Sequence, residues 1–367
     1  MIYTAGTPEA RLEARLEAKM LQKLKDRWKK LKRWQKGVAI GVGVAAGIPL
    51  VFTLYMTAMY PDYREADPGL DVDRTPPAIT RGEYLYHAVA DCSGCHTRRD
   101  FRRFGGPQVA DVGAGFGDHE HGGLRLPFAG LPGEIYPSNI TMDRETGLGK
   151  WTDDEMIRAI RDGVSRDEST LFPLMPYGAY ARMSDTDVQA IVAYMRHLPS
   201  IPRAVPNSSV RFPVNMFVRM APRPVTEVVP DINRQDRVKY GEYLATLAGC
   251  IGCHTMGDGP DMRTDMLLAG GHAYSLEGWD YEVVSANLTP HATGMTMTEQ
   301  QFVDRFKSYL EMANGDAEIP LLTRDNATPM PWFAFSTLSD GDLRMIYAYL
   351  RSVPAIANTV TKRRPLE

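Results

Sequence analysis

Two short stretches of sequence, DCSGCHT at Asp91–Thr97 and GCIGCHT at Gly249–Thr255, decide the fold of this chain. Each stretch holds two cysteines that are separated by two residues, and a histidine follows the second cysteine directly. All four cysteines of the 367-residue chain belong to these two motifs, as Cys92, Cys95, Cys250 and Cys253. No cysteine is therefore left for a structural disulfide elsewhere.

The two motifs are part of a longer internal repeat. GEYL precedes each motif, starting at Gly82 and at Gly241, and the segments that start at Met175 and Met330 align without a gap at an offset of 155 residues. Each copy shows the same order of elements: a helix that enters the motif, a glycine-rich stretch, a middle helix, a Met-Pro loop and a last helix. Strand patterns are nearly absent, so the sequence predicts an all-α protein.

Capping residues and prolines predict where the copies begin and end. Ser184 and Ser339 are each followed by aspartates, which predicts the N-termini of the two last helices, and these helices should end before Pro199 and Pro354. The segment between the copies is rich in proline and reads as an ordered strap. The predicted boundaries are 80–203 for the first copy, 204–232 for the strap, 233–357 for the second copy and 358–367 for a tail.

Three kinds of site use cysteines at this spacing. A redox-active disulfide would lie in a βαβ pattern, which the sequence lacks. Zinc needs four ligands close together, whereas one motif supplies at most three and the motifs lie in separate copies. Haem c fits best, because two thiols on one helical turn reach the two vinyl groups while the histidine binds the iron. The sequence therefore predicts two covalently bound haem c groups, held by Cys92, Cys95 and His96 and by Cys250, Cys253 and His254.

The repeat also indicates the second axial ligand of each haem iron. Met175 and Met330 occupy matching places in Met-Pro-aromatic loops, and the proline disfavours helix at the methionine. Most of the 19 methionines should fill cores, and Met183 and Met195, which have leucine counterparts in the second copy, are assigned there. An iron with histidine and methionine ligands is coordinatively full, which favours electron transfer over bond chemistry.

The N-terminal residues predict a membrane anchor. Residues 1–36 carry 11 Lys/Arg against 4 Asp/Glu, and the next stretch, Val38–Tyr60, has 23 residues without a charge. Roughly 20 apolar residues cross the hydrocarbon core, and no cleavage site follows, so we expect an uncleaved anchor. The positive-inside rule places the N-terminus in the cytoplasm and the haem domains in the periplasm. The predicted segments are a basic helix at 1–36, a single-pass span of the inner membrane at 37–60 and a linker at 61–79.

The basic helix carries one apolar stripe. Its members recur every four residues, as Leu12, Leu16, Met20, Leu24 and Trp28. A basic amphipathic helix of this kind is expected to lie on anionic lipid or to pack on a partner subunit.

These features together resemble a known family. The motifs, the Met-Pro loops and RFPVNMFVRMAP at 211–222 are similar to tandem class I cytochrome c domains, and more narrowly to the multihaem cytochrome c subunits of bacterial membrane-bound alcohol and gluconate dehydrogenases. The resemblance covers residues 80–357 and implies an electron-transfer subunit that is not an enzyme on its own. That family usually has three haem domains and a C-terminal anchor, whereas this sequence shows two and an N-terminal helix. Anchored dihaem cytochromes also occur in quinol-oxidising complexes and terminal oxidases, so the partner complex stays open among these classes.

The predicted function is electron transfer from a membrane complex, haem to haem, to a soluble cytochrome or an oxidase. A dihaem peroxidase with one open iron is the alternative from another class, and the methionine in each copy argues against it. A structural cytochrome that holds a complex together is the third interpretation. The sequence shows no catalytic nucleophile with a base, no phosphate-binding loop and no nucleic-acid surface.

The sequence also supports weaker predictions for three further groups of residues. Asn139 and Asn287, each with a threonine two residues later, should fix the haem propionates or the loops around them. His119 and His121 lie in a glycine-rich insertion, where an exposed loop is favoured over a surface metal site. A basic segment after the first motif should neutralise propionates, dock an acidic partner or form a solvated loop, and it contains Arg98, Arg99, Arg102 and Arg103.

Overall fold

A computed structural model describes residues 8–58, 69–117, 131–257, 262–275 and 279–366. The chain divides into two compact units, Met1–Tyr60 and Pro61–Glu367. Helices make up most of the regular secondary structure in both units.

The N-terminal unit consists of two helices, α1 (Pro8–Lys30) and α2 (Arg33–Ala58). The break between them is held by Gln35, whose side-chain Oε1 accepts a hydrogen bond of 2.9 Å from the backbone N–H of Lys32. Within the described residues, one helical segment is long and apolar enough to cross a membrane: Arg33–Tyr55, with a mean hydropathy of 2.1 and no part of it buried.

The apolar stripe of α1 lies on the surface of this unit. Met20, Leu24 and Trp28 are 61%, 54% and 43% exposed. Leu12 and Leu16 lie in α1, but their side chains are outside the described part of the structure. The exposed stripe leaves α1 with an apolar face next to its basic residues.

The second unit contains the two sequence copies. The helices before the strap are α3 (Pro76–Tyr84), α4 (Cys92–His96), α5 (Asp153–Asp162), α6 (Tyr177–Tyr180) and α7 (Asp185–Met195), and the strap itself contains α8 (Val214–Val218). Those after the strap are α9 (Arg237–Leu247), α10 (Cys250–His254), α11 (Glu299–Lys307), α12 (Leu310–Asn314), α13 (Trp332–Ser336) and α14 (Asp340–Ser352). A π-helical turn at Leu85–Val89 continues α3, and a 3-10 turn lies at Thr264–Met266.

The last helix of each copy begins where its capping residue predicts. Ser184 Oγ accepts a hydrogen bond from the backbone N–H of Asp187 at the start of α7, and Ser339 Oγ does the same for Asp342 at the start of α14. Each serine satisfies one of the backbone donors that a helix N-terminus leaves without a partner. Both predicted helix starts are confirmed.

A glycine lies where the first and last helices of each copy cross. α3 packs on α7, and α9 packs on α14. A Cβ atom on Gly82 would lie 1.8 Å from the carbonyl oxygen of Ala190, and one on Gly241 would lie 1.9 Å from that of Met345. The two backbones therefore approach more closely than any side chain allows. Gly82 and Gly241 head the two GEYL sequences, so the same crossing is built twice.

Seven short strands accompany the helices within the described residues, which the sequence analysis did not predict. They have two to four residues each and form only antiparallel pairs: β1 (Arg98–Arg99) with β2 (Gln108–Ala110), β3 (Gly133–Glu134) with β4 (Ser209–Val210), and β5 (Ala273–Ser275), β6 (Tyr281–Val284) and β7 (Arg363–Pro365) in one sheet. The last sheet attaches the C-terminal residues to the second copy.

The strap follows the surface of the first copy. β4 of the strap pairs with β3, and the backbone N–H of Asp185 donates to the carbonyl of Val229 at 2.9 Å. Farther along, the N–H of Val225 donates to the side chain of Asp162 at 3.1 Å. One contiguous hydrophobic cluster includes buried side chains from both copies, among them Leu85, Ile191, Leu244 and Leu350.

Candidate haem sites

Each Cys-x-x-Cys-His motif forms a helix of five residues, α4 in the first copy and α10 in the second. The residue before each helix has left-handed backbone conformation: Asp91 with φ 47° and Gly249 with φ 71°. This left-handed residue orients the motif helix so that its two cysteines lie on the same side of the helix. Cys92 and Cys250 are partly buried, whereas Cys95 and Cys253 are exposed.

Both motif histidines are held by a backbone carbonyl. Nδ1 of His96 lies 2.8 Å from the carbonyl oxygen of Ser138, and Nδ1 of His254 lies 2.8 Å from that of Ala286. A carbonyl only accepts, so Nδ1 carries the hydrogen and Nε2 keeps its lone pair. Burial lowers the pKa of both imidazoles, which keeps them neutral. A neutral histidine with Nδ1 fixed in this way is the form that binds a metal through Nε2.

The threonine after each histidine fixes the end of the motif helix. Thr97 Oγ1 accepts a hydrogen bond of 3.0 Å from the N–H of Gly113, and Thr255 Oγ1 accepts one of 3.0 Å from the N–H of Leu268. Both threonines are fully buried. The sequence analysis did not assign them a role, although the HT pair recurs in both motifs and was a usable signal.

The two asparagines hold the loops that orient the histidines. Asn139 Oδ1 accepts from the N–H and the hydroxyl of Thr141 at 3.0 and 2.7 Å, and its amide donates to the carbonyl of Ile201 at 2.8 Å. Asn287 repeats this arrangement with Thr289 at 2.9 and 2.7 Å, and its amide donates to Ile356 at 2.9 Å. Each asparagine follows the residue whose carbonyl meets the histidine. The structure therefore supports the loop role that the sequence analysis offered for them.

The thiols of Cys92, Cys95 and Cys250 are protonated at neutral pH. Burial raises the pKa of Cys92 and of Cys250 well above the ordinary thiol value. Cys95 reaches solvent, yet the protein around it raises the pKa of its thiol to about 11, with smaller contributions in the same direction from Asp91 and from Cys253. Cys253 acts on Cys95 although the two lie in different copies, so the two motifs are near one another.

The other kinds of site find no support among the described residues. The four cysteines, which all lie in this part of the chain, form no disulfide. No group of three or more His, Cys, Asp or Glu side chains able to hold a metal ion occurs within 8–58, 69–117, 131–257, 262–275 or 279–366. His119 and His121 lie outside the described residues.

The two methionine loops have the same conformation. Met175 and Met330 are partly buried against the hydrophobic core, and the prolines after them have nearly the same φ and ψ. The carbonyl of Met175 accepts from the N–H of Tyr177, and that of Met330 accepts from the N–H of Trp332, at 2.8 Å in each case. In the first copy, the hydroxyl of Tyr180 donates to the carbonyl of Ala90 at 2.9 Å, which brings α6 next to the motif helix.

This set of donor groups fits haem c. Two thiols one helical turn apart, an imidazole with Nε2 as the lone-pair nitrogen, and a thioether on a loop are the groups that attach and ligate such a haem. In the first copy they are the side chains of Cys92, Cys95, His96 and Met175. In the second copy they are those of Cys250, Cys253, His254 and Met330.

The basic segment of the first copy is engaged with backbone carbonyls. The Arg99 guanidinium donates to the carbonyls of Gly94, Gly105 and Gly106. Arg103 donates to the carbonyl of Ile319 in the second copy at 2.7 Å. These two arginines therefore hold the chain itself, and Arg103 does so between the copies.

The π-helical turn before the first motif results from one extra residue. Ten positions separate Gly82 from Cys92, whereas nine separate Gly241 from Cys250. The turn carries His87, whose ring lies 2.7 Å from the hydroxyl of Tyr194 through Nε2 and 3.0 Å from that of Ser93 through Nδ1. Burial lowers the pKa of His87. The sequence analysis missed this network, although the unequal spacing marked it.

Comparison with known proteins shows that the chain is similar to several cytochromes. Residues 77–195 match the family of cytochrome c oxidase, cbb3-type, subunit III. Over 306 residues the chain is 31% identical to the cytochrome c subunit of alcohol dehydrogenase (quinone) of Gluconobacter oxydans, which covers 77% of this chain and 56% of that protein. Over 292 residues it is 28% identical to the gluconate 2-dehydrogenase cytochrome c subunit of Pantoea cypripedii, which covers 76% of this chain and 60% of that protein.

A further relative matches over most of its own length. The chain is 28% identical over 306 residues to a diheme cytochrome c-type protein of Cereibacter sphaeroides, which covers 80% of this chain and 91% of that protein. By contrast, the chain spans little more than half the length of the dehydrogenase subunits. The dehydrogenase relatives are named as cytochrome subunits, in agreement with the prediction of an electron-transfer subunit that is not an enzyme on its own. The chain thus carries a cytochrome c domain and is a relative of the cytochrome c subunits of alcohol and gluconate dehydrogenases.

Proposed function

We propose that the chain is a membrane-anchored dihaem c-type cytochrome that passes electrons between its two haems as a subunit of a respiratory complex. The observation that carries this proposal is the duplicated site. Two motif helices, each with a histidine whose Nδ1 meets a carbonyl at 2.8 Å, occur in one folded unit. In this proposal residues 80–203 and 233–357 are tandem class I cytochrome c domains.

The chemistry follows from the groups that hold each haem. A bound haem c supplies a one-electron couple of its iron, and a methionine thioether as sixth ligand raises the potential. The residues of the chain keep the imidazole neutral and oriented, and Met175 and Met330 would supply the second protein ligand to each haem iron. Full coordination supports electron transfer over the peroxidase alternative. The location of both motif helices in one folded unit supports electron transfer from one haem to the other.

The proposed membrane topology and partners follow from the N-terminal unit. Arg33–Tyr55 would span the inner membrane once, with the basic α1 in the cytoplasm and both haem domains in the periplasm. The exposed stripe and basic residues of α1 would contact anionic lipid or a partner subunit. The partners would be the other subunits of a dehydrogenase, quinol-oxidising or oxidase complex, with a soluble cytochrome or an oxidase as acceptor.

Haem attachment gives the direct test of the two-haem proposal. After acid-acetone extraction the intact chain should keep two haems, because thioether bonds are covalent. The variant with both Cys92→Ala and Cys95→Ala should keep one, and mass measurement of the intact protein checks both expectations. A wild-type chain with fewer than two attached haems would overturn the proposal.

The axial methionines are tested through the far-red ferric band that arises from sulfur-to-iron charge transfer. Met175→Ala or Met330→Ala should each remove about half of this band and lower the potential of one haem, and the double variant should lose the band entirely. Met183→Leu, at a fully buried core position whose counterpart is Leu338, should keep the band. An unchanged band in Met175→Ala would mean that the first haem has another ligand.

A further inference from the structure

The two copies contact each other through matching tyrosines. Tyr84 of the first copy donates its hydroxyl to Asp342 at 2.6 Å and accepts from the backbone N–H of Ser339 at 3.1 Å. Ser339 and Asp342 are the cap and the third residue of α14, so this phenol binds the start of the last helix of the second copy.

The second copy makes the same contact in return. Tyr243 donates its hydroxyl to Asp187 at 2.7 Å and accepts from the backbone N–H of Ser184 at 3.2 Å. Tyr84 and Tyr243 occupy the same place in the two GEYL sequences. Each hydroxyl thus uses both its donor and its acceptor capacity on the helix start of the other copy.

The two contacts differ in their surroundings. Ser184, Asp187 and Tyr243 are 2%, 4% and 7% exposed, whereas Ser339 lies on the surface. Asp187 also receives two hydrogen bonds from Arg81, at 2.9 and 2.8 Å, and Arg81 reaches the hydroxyl of Tyr240 at 3.3 Å. The Tyr243 contact is therefore the more deeply buried of the pair.

Both contacts lie at the end of a methionine loop. Ser184 lies nine positions after Met175, and Ser339 lies nine positions after Met330. The short helices between them also face the other copy: α6 packs on α9, and α13 packs on the π-helical turn. The C-terminal end of each methionine loop is thus fixed by residues of the other copy.

A third contact joins the copies just before the second methionine loop. The N–H of Phe104 donates to the carbonyl of Pro320 at 2.9 Å, and the N–H of Leu322 donates to that of Arg102 at 2.8 Å. Pro320 and Leu322 precede Met330 by ten and eight residues. The second loop is therefore fixed by the first copy on both sides.

From these contacts we propose that each copy positions the axial methionine of the other copy, with Tyr84 holding the loop of Met330 and Tyr243 holding the loop of Met175. The inference rests on the proposed function, because it concerns methionine ligation of two haems. Tyr84 and Tyr243 are positioning residues that act through the start of the last helix. Loss of one hydroxyl should therefore weaken the iron–sulfur bond of the haem in the other copy.

The experiment isolates one methionine at a time in the full-length, haem-loaded chain. In the Met175→Ala variant the remaining far-red band arises only from the Met330 ligand. Imidazole is then added in increasing concentration, and the loss of this band is followed. Adding Tyr84→Phe should lower the imidazole concentration that halves the band by about fivefold, because a partly buried hydrogen bond to a carboxylate is lost. Adding Tyr243→Phe should leave that concentration unchanged. In Met330→Ala the roles should reverse, with the larger effect from Tyr243→Phe.

Controls separate this inference from general destabilisation. Tyr347→Phe removes a hydroxyl that donates to Met297 within the second copy at 3.0 Å, and it should leave both titrations unchanged. Asp342→Ala removes the acceptor of Tyr84 and should reproduce the effect of Tyr84→Phe. Equal effects of Tyr84→Phe and Tyr243→Phe in either background, or none, would overturn the inference. A missing band in both single methionine variants that still carry two haems would instead overturn the proposed methionine ligands.

Discussion

Asp162 is a buried carboxyl at the end of α5 that neither haem site uses. Its side chain is 2% exposed and accepts a hydrogen bond of 3.1 Å from the N–H of Val225 in the strap. Burial raises its pKa to about 6, although Arg161 and Arg158 act in the opposite direction. The carboxyl therefore takes up a proton more readily in the folded chain than in the unfolded one.

The stability of the chain should depend on pH through Asp162. Because its folded-state pKa of about 6 lies above the unfolded value of 3.8, its contribution to stability is fully present below pH 4 and is lost as the pH rises through 6. Relative to Asp162→Asn, the free energy of unfolding of the wild type should fall by about 2 kcal/mol between pH 4 and pH 8. Chemical unfolding of both proteins across this pH range checks the prediction. If the free energy of unfolding changed with pH in the same way for both proteins, the prediction would be contradicted.

At the residue scale the sequence predicts the side chains of the haem sites but not the backbone groups that orient them. The motifs mark His96 and His254, whereas Ser138 and Ala286 contribute only carbonyl oxygens, which any residue has. The loop that carries each carbonyl is marked by its asparagine, so Asn139 and Asn287 were the available signal. For the basic segment, the sequence does not distinguish guanidinium groups that bind backbone carbonyls, as Arg99 and Arg103 do, from groups that bind a propionate or a partner.

At the scale of elements, the two glycine crossings are the most restrictive packing positions. The sequence predicts a first and a last helix in each copy, and GEYL recurs at each crossing. The sequence alone does not predict how closely the helices approach, because that distance depends on which residues of α7 and α14 lie opposite Gly82 and Gly241. The π-helical turn likewise follows from one extra residue, and its location within the helix depends on the packing of the core around it.

Replacing the crossing glycines should destabilise the chain strongly. In Gly82→Ala or Gly241→Ala the new methyl group would lie within 2 Å of a backbone carbonyl, so the helices must separate. We expect a loss of roughly 3 kcal/mol or more in the free energy of unfolding, measured by denaturant titration. Gly341→Ala is the matched control, because its added Cβ would lie 3.7 Å from the nearest atom, in Ser339, and alanine favours helix. A loss below about 1 kcal/mol for Gly241→Ala would contradict the described crossing.

At the scale of the whole molecule, the chain divides into the N-terminal unit and the unit of the two copies. The sequence predicts this division from charge and hydropathy, since those properties need no tertiary structure. It does not predict that the copies share one hydrophobic cluster, because residues such as Leu85 and Leu244 serve equally well in two separate cores. The contact between the copies depends on hydroxyl and carboxylate groups far apart in sequence, which no local pattern relates.

Removal of the N-terminal unit should release the rest of the chain. A chain that lacks residues 1–60 and carries a cleavable export signal should be soluble without detergent, because the candidate span at Arg33–Tyr55 is gone. It should keep both haems, since every proposed ligand lies after residue 90. Fractionation of periplasm and membranes, together with mass measurement, checks both expectations. A truncated protein that still needs detergent would show a second membrane contact.

The reciprocal tyrosine contacts have a consequence for which domains pair. Such an exchange of equivalent bonds is the pattern of an isologous interface, the kind that joins the subunits of a two-fold homodimer. Arg81 and Tyr240 occupy equivalent positions and meet each other at 3.3 Å, so they lie near the approximate two-fold axis. Two first copies would bring two guanidinium groups together there, and two second copies would bring two phenols. The mixed pair within one chain supplies Arg81 with the Tyr240 hydroxyl as a hydrogen-bond acceptor, a contact that neither pair of identical copies provides, so this contact favours pairing within one chain.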